Sequence, residues 1–139
     1  SFYKFIYLKG FLNKFSDIST GGIEFEKACK SLGYDNGHSA GKVMGLSSYG
    51  YSEEKYNLDY NKVKIAKEVQ EKTFIDICNL IDKAKEINNN IVLSGGYFLN
   101  CSNNFKYVEK YPNLNFFVDP IPNDAGTAIG AALYYDIYR

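Results

Sequence analysis

Two glycine-bearing stretches decide the fold: residues 91–100 have the sequence IVLSGGYFLN, and residues 123–132 have the sequence NDAGTAIGAA. Each predicts a turn, built from residues with little or no side chain, that follows a strand and opens a helix. The second stretch also places an acid, Asp124, at its turn. Because glycine has no Cβ, a nucleotide can approach such a backbone closely, and the two stretches together indicate a nucleotide site.

Apolar periodicity predicts alternating helices and strands around these turns. The predicted elements are a long amphipathic helix over Asn61–Ile87, a strand over Ile91–Ser94, a helix over Tyr97–Val108, a strand over Leu114–Val118 and a last helix over Asp124–Tyr138. Strands that alternate with helices favour a parallel portion of sheet. The second half of the chain is therefore predicted to be an α/β unit.

The first half adds an antiparallel element. The predicted elements are a β-hairpin of Phe2–Leu8 and Phe11–Phe15, a helix over Gly22–Leu32 that Gly33 caps, and a loop or short helix over Gly41–Gly50. The predicted fold is thus α/β, with a small mixed sheet of one antiparallel hairpin plus parallel strands flanked by helices. A length of 139 residues favours a single domain, residues 1–139.

Composition excludes several classes of partner. Sixteen basic and sixteen acidic residues give no net charge, so no broad field attracts nucleic acid or an anionic membrane. No apolar run approaches the roughly 18 residues that a membrane span needs. The three cysteines have neither disulfide-framework nor zinc-site spacing. We expect a cytoplasmic protein without nucleic-acid or membrane partners.

The first glycine turn has a functional and a structural interpretation. In an open α/β sheet, ligands bind at the carboxyl ends of strands. Gly95 and Gly96 would let adenine or ribose lie against the main chain, and Asn100 could point back to the ligand. Alternatively, the two glycines only make a tight turn that needs a positive φ.

Asp124 and Lys42 also have both a functional and a structural interpretation. A carboxylate at a helix N-terminus lies near phosphates only if a cation stands between them, so Asp124 predicts a hard oxygen ligand for a metal. It would serve equally as an N-cap. Lys42, in the glycine-rich run, would meet an anionic group or remain solvated.

Four motifs, taken in order, resemble the O-carbamoyltransferases of the NodU and TobZ type. They are GKVMGLSSYG (41–50), AKEVQ (66–70), IVLSGGYFLNCSNN (91–104) and FFVDPIPNDAGTAIGAALY (116–134). The resemblance implies a ribonuclease-H-like lobe of an actin-like, sugar-kinase-like ATPase domain. It also implies that this chain is the second lobe of that domain and a fragment of a longer protein.

The resemblance further implies an ATP-dependent activity. Carbamoyl phosphate would become a carbamoyl adenylate, and the carbamoyl group would pass to a hydroxyl of a sugar or natural product. The first lobe and a YrdC-like domain would be the missing partners, so the fragment alone would be inactive. By this resemblance, the residues that contact adenosine are Gly95, Gly96 and Asn100, and those near the phosphates are Gly126 and Thr127. Lys42 and Gly45 belong to the family's glycine-rich motif. Asp124 would ligate a divalent metal, iron or magnesium.

The sequence departs from the family pattern at two places, which support a non-catalytic alternative. Ala40 stands where the family has Glu, and Ser19–Gly22 replace a His-Ser-Leu-Gly run. The family's paired metal-binding histidines lie upstream of the region that this chain matches. One rival is a threonylcarbamoyl-transfer protein or sugar kinase of the same superfamily. The other is a non-catalytic module that binds a nucleotide or a protein partner.

Overall fold

A computed structural model describes residues 4–8, 11–15, 21–34, 39–49, 59–123 and 125–137, of which 4–8, 11–15 and 137 are described by their backbone alone. Within these ranges the chain is a mostly helical α/β fold. The helices are α1 (Gly21–Ser31), α2 (Ala40–Ser47), α3 (Tyr60–Ala84), α4 (Cys101–Lys110) and α5 (Gly126–Ile137), and a 3₁₀ turn covers Gly96–Leu99. The strands are β1 (Lys4–Leu8), β2 (Phe11–Phe15), β3 (Asn90–Leu93) and β4 (Asn115–Val118).

The described strands form two separate sheets. β3 and β4 pair in parallel, with Asn90 opposite Asn115 and Leu93 opposite Val118. β1 and β2 pair antiparallel with each other only. The predicted mixed sheet is therefore wrong: among the described strands, the antiparallel pair and the parallel pair do not join into one sheet. The reason lies in the connections: β1 and β2 are close in sequence and pair with each other, whereas the connection between β3 and β4 contains helix α4 and makes these strands parallel.

Helix α3 is the longest element and confirms the predicted amphipathic helix, although it ends at Ala84 rather than Ile87. Its N-terminus is capped by Asp59, whose carboxylate accepts the N–H groups of Asn61 and Lys62 at 3.1 and 3.4 Å. Its buried stripe consists of Val63, Ala66, Val69, Gln70, Thr73, Ile77, Cys78 and Ile81. This stripe runs along most of the helix and contributes side chains to both clusters of the core.

Helix α1 ends where the sequence predicts. Gly33 has a φ of +77°, and its N–H bonds to the carbonyl of Lys30 at 3.1 Å. The Tyr34 N–H bonds to the carbonyl of Cys29 at 2.9 Å. These two bonds are the Schellman motif, in which a left-handed glycine closes the last turn of a helix.

The core has two clusters that meet on α3. The first core cluster joins α1, α2 and the start of α3, and consists of Phe25, Ala28, Cys29, Leu32, Val43, Ala66 and Val69. The second joins the end of α3 to β3 and α4, and consists of Ile77, Cys78, Ile81, Leu93 and Tyr107. Tyr97, from the first glycine turn, packs against both clusters. The turn is thereby anchored to the whole core.

Candidate functional site

The two glycine turns lie at one edge of the parallel sheet, as the sequence predicts for strands that alternate with helices. The first turn begins at Ser94, directly after β3, and the second connection begins at Asp119, directly after β4. The Asp119 N–H bonds to the carbonyl of Leu93 at 3.0 Å. The Ser94 hydroxyl donates to Oδ2 of Asp119 at 3.3 Å. A backbone bond and a side-chain bond therefore tie the starts of the two turns together.

Gly95 has a backbone conformation that side chains avoid. Its φ of 111° and ψ of 151° lie in a region that is essentially restricted to glycine. Gly96, which begins the 3₁₀ turn, has an ordinary φ, and both glycines are exposed. No described atom lies within 4 Å of a Cβ built on either residue. Gly95 thus occupies a turn position that needs a positive φ, as the structural interpretation predicts. Open space lies beside the backbones of Gly95 and Gly96.

Asn100 faces the protein interior. It is 5% exposed, and its Oδ1 accepts the Asn103 N–H at 3.1 Å, which caps α4. Its Nδ2 donates to Oε1 of Gln70 at 2.9 Å. The structure thus gives the side chain a role in fixing the end of the turn against α3, a role that the sequence motif does not indicate.

A partly buried pair of hydroxyls joins the turn to α4. The hydroxyls of Tyr97 and Tyr107 are 3.1 Å apart, and Nδ2 of Asn103 donates to the Tyr97 hydroxyl at 2.8 Å. Burial is the main reason that the pKa of Tyr107 lies far above its ordinary value, and the neighbouring Tyr97 raises it further. Tyr107 therefore stays neutral and serves as a structural hydrogen-bonding group.

The second turn is held by its own polar groups. Oδ1 of Asp119 accepts the Ile121 N–H at 2.8 Å. Oδ1 of Asn123 accepts the Ala125 N–H at 3.0 Å, and the Asn123 carbonyl accepts the Gly126 N–H at 3.0 Å. These bonds fold the segment between β4 and α5 back towards the sheet edge.

Gly126 is the contact point of that folded segment. A Cβ on Gly126 would overlap the carbonyl oxygen of Ile121. Thr127, the next residue of α5, is exposed. The predicted metal ligand, Asp124, lies outside the described residues. Within the described part of the chain, no group of three or more His, Cys, Asp or Glu side chains is placed to hold a metal.

The glycine-rich run 41–50 forms helix α2 over most of its length. Lys42 is exposed, and its Nζ lies 5.6 Å from the centre of the Tyr34 ring. Gly45 is exposed on the same helix. α2 packs against α1 and α3 through Val43, whereas the two glycine turns follow strands. The structure brings Gly95, Gly96 and Gly126 to one sheet edge. Lys42 and Gly45 lie instead on helix α2.

Sequence reasoning missed two residues of this region. Asp119 had a usable signal, because it directly follows a predicted parallel strand and so belongs at the ligand-binding edge. Gln70 had a weaker one, since it is a polar residue within the apolar stripe of α3 and is 4% exposed. A buried polar side chain implies hydrogen-bond partners, but the sequence does not say which they are.

A comparison with family models decides the classification. Residues 61–133, a little more than half of the chain, match the model described as the carbamoyltransferase N-terminus. The chain belongs to this family. The match to the carbamoyltransferase N-terminus begins in α3 and ends in α5, so it includes Gln70 and both glycine turns. The expected resemblance to carbamoyltransferases is confirmed at this level.

Other comparisons add nothing to the classification. The chain matches no curated protein and no solved structure. Within the described part of this carbamoyltransferase N-terminal sequence, no helix combines the length and the hydropathy required to cross a membrane.

Proposed function

We propose that the chain is the second lobe of the ribonuclease-H-like, actin-like ATP-binding domain of an O-carbamoyltransferase of the NodU and TobZ type. Adenosine would lie on the turn of Gly95 and Gly96, and the phosphates would lie near Gly126 and Thr127. The complete protein would form a carbamoyl adenylate from carbamoyl phosphate and ATP. It would then transfer the carbamoyl group to a hydroxyl of a small-molecule acceptor.

One observation carries this proposal: two glycine turns share one edge of the parallel sheet, and a Ser94–Asp119 hydrogen bond of 3.3 Å joins their starts. The open space beside Gly95 and Gly96 supports contact between a flat ring and the main chain. Charge neutrality of the whole chain leaves local groups to bind the phosphates. The family match supports carbamoyl transfer over phosphoryl transfer to a sugar.

A divalent metal, iron or magnesium, would be held by Asp124 together with ligands from the rest of the protein. Asn123 accepts the N–H groups of both Ala125 and Gly126, so these two donors do not require the Asp124 carboxylate as a cap. A hard oxygen ligand suits such a cation. The metal would supply charge neutralisation between the carboxylate and the phosphates. The remaining ligands would come from the first lobe, and this lobe alone would be inactive.

Replacement of Asp124 in the full-length protein tests the proposal. We expect Asp124→Ala to lose bound metal and to lower the rate of carbamoyl adenylate formation by about 100-fold or more, because charge on the phosphates is no longer offset. Asp136→Ala, near the C-terminal end of α5, is the control and should keep both. Metal analysis and adenylate formation are the measurements, with ATP binding followed by calorimetry.

Three outcomes would contradict parts of this proposal. Unchanged metal content in Asp124→Ala would refute the metal role. Adenylate formation from a threonylcarbamoyl donor instead of carbamoyl phosphate would favour the related transfer protein. No heat of ATP binding in the wild-type protein would favour a non-catalytic interaction module, for which the Ala40 departure is the sequence argument.

A further inference from the structure

A buried amide network joins the middle of α3 to the first glycine turn. Nε2 of Gln70 donates to Oδ1 of Asn100 at 3.0 Å and to Oδ1 of Asn103 at 2.9 Å. Its Oε1 accepts from Nδ2 of Asn100 at 2.9 Å. Gln70 is 4% exposed, so these bonds form away from bulk water. Both donors and the carbonyl of this amide are therefore used in holding the two asparagines.

The two asparagines hold opposite parts of the turn. Asn100 is the residue that ends the 3₁₀ turn, and its N–H bonds to the carbonyl of Tyr97 at 3.0 Å. Asn103 lies on α4, and its Nδ2 donates to the Tyr97 hydroxyl at 2.8 Å and to the backbone carbonyl of Gln70 at 3.1 Å. A displacement of Gln70 would thus be transmitted to Tyr97, which directly follows Gly96, and to Asn100, which ends the 3₁₀ turn.

Hydrophobic packing alone would not fix this geometry. Burial of apolar surface is non-directional, whereas a satisfied buried hydrogen-bond network selects one arrangement of its members. The reciprocal pair of bonds between the Gln70 and Asn100 amides fixes both the distance and the orientation of the two groups. Polar contacts of Gln70 therefore help to fix the segment that follows Gly95 and Gly96 against α3.

We propose that Gln70 is a positioning residue for nucleotide binding, which holds the Gly95–Gly96 turn in the geometry that accepts adenosine without contacting the ligand itself. This inference rests on the proposed function, since it assigns a second layer of support to the same site. It predicts that loss of the amide weakens the binding of ATP even where the protein remains folded.

The test compares two buried substitutions on one helix. Gln70→Met keeps the length of the side chain and removes the amide. Thr73→Val is the matched control: Thr73 is fully buried one turn further along α3, and within the described residues its hydroxyl bonds to backbone carbonyls of its own helix, Val69 at 2.7 Å and Gln70 at 3.3 Å. Both are made in the full-length protein and measured below their thermal midpoints.

Calorimetry gives the Kd for ATP, and steady-state kinetics give the KM for ATP and for carbamoyl phosphate. We expect Gln70→Met to raise the Kd and the KM for ATP by about tenfold, with the KM for carbamoyl phosphate unchanged. Thr73→Val should leave all three constants at their wild-type values. A purely structural role would lower the thermal midpoint and leave the Kd of the folded protein unchanged.

The outcomes separate this inference from the proposed function. Wild-type protein that does not bind ATP would overturn both. ATP binding by the wild type, with equal Kd values for Gln70→Met and Thr73→Val, would overturn the role of Gln70 alone. If Gln70→Met does not fold, Tyr97→Phe decides, because it keeps the ring and removes the hydroxyl that Asn103 and Tyr107 contact, and an unchanged Kd for ATP there would overturn the positioning network.

Discussion

Gly126 and Gly130 lie one turn apart on α5 and differ in what surrounds them. A Cβ on Gly126 would overlap the backbone carbonyl of Ile121, which cannot move without shifting the segment between β4 and α5. A Cβ on Gly130 would meet no described atom within 4 Å. One glycine therefore permits a close approach of two backbones, and the other only lowers the helix propensity of α5.

Alanine substitution at these two glycines should have opposite effects. We expect Gly126→Ala to lower the free energy of unfolding by about 1–3 kcal/mol, the usual cost of an overpacked contact. Gly130→Ala should raise it by up to about 1 kcal/mol through helix propensity. Urea denaturation of both variants gives the comparison. Equal shifts in the two would show that the Ile121 carbonyl does not approach the helix as described.

The sequence could not distinguish these glycines. Both belong to one run of small residues, and the difference arises because Asp119 folds the following segment back by accepting the Ile121 N–H. Gly95 was more predictable, since its positive φ follows from a local turn. Asn100 was recognised as a motif residue, but its contact with Gln70 crosses from one helix to another and has no local signature.

Local periodicity in the sequence is sufficient to predict the long helix, but it does not predict how the strands pair. The amphipathic stripe of α3 and the Schellman ending of α1 are properties of consecutive residues, and both were predicted. The sequence of residues 41–50 is compatible with a loop or a short helix because its glycines disfavour a helix, yet packing of Val43 into the first core cluster stabilises α2. The prediction of one mixed sheet is wrong because strand pairing depends on residues that are distant in the sequence.

The ends of β3 and β4 should be energetically coupled through Ser94 and Asp119. Asp119→Ala removes the acceptor of both the Ser94 hydroxyl and the Ile121 N–H, and we expect it to cost about 1–2 kcal/mol. Ser94→Ala removes one of these bonds and should cost less. A double-mutant cycle on unfolding free energies should give a coupling of about 0.5 kcal/mol.

Asp119→Asn is the control for that cycle. It retains an oxygen that can accept one of the two bonds, so it should be less destabilising than Asp119→Ala. Strict additivity of Ser94→Ala and Asp119→Ala would mean that the two strand ends are held by the backbone bond between Asp119 and Leu93 alone.

The whole molecule depends on α3 and Tyr97 to unite its two core clusters. Tyr97 packs against both, and its ring meets Phe25 of the first cluster edge-on with centroids 6.1 Å apart. Its hydroxyl reaches Tyr107 of the second. The proposed nucleotide turn is thereby attached to the core through Tyr97, so global stability and the geometry of the site are linked.

Alkaline pH should unfold the protein partly through Tyr107. The unfolded chain releases this proton near the ordinary pKa of 10.0, whereas burial raises the pKa of Tyr107 in the fold well above that value. Above about pH 10 the unfolded state therefore binds fewer protons, and stability is lost as pH rises, by up to about 1.4 kcal/mol per pH unit for this one group. Below about pH 9 the group should contribute no pH dependence.

Tyr107→Phe isolates this contribution. Unfolding free energies from denaturant titrations at several pH values between about 8 and 11.5 should fall less steeply for Tyr107→Phe than for the wild type, because the variant has no proton to retain. The buried Cys29 thiol, whose pKa burial also raises, remains in both proteins and cancels in the comparison. Identical slopes in Tyr107→Phe and the wild type would show that the Tyr97–Tyr107 pair is accessible to water in the folded protein.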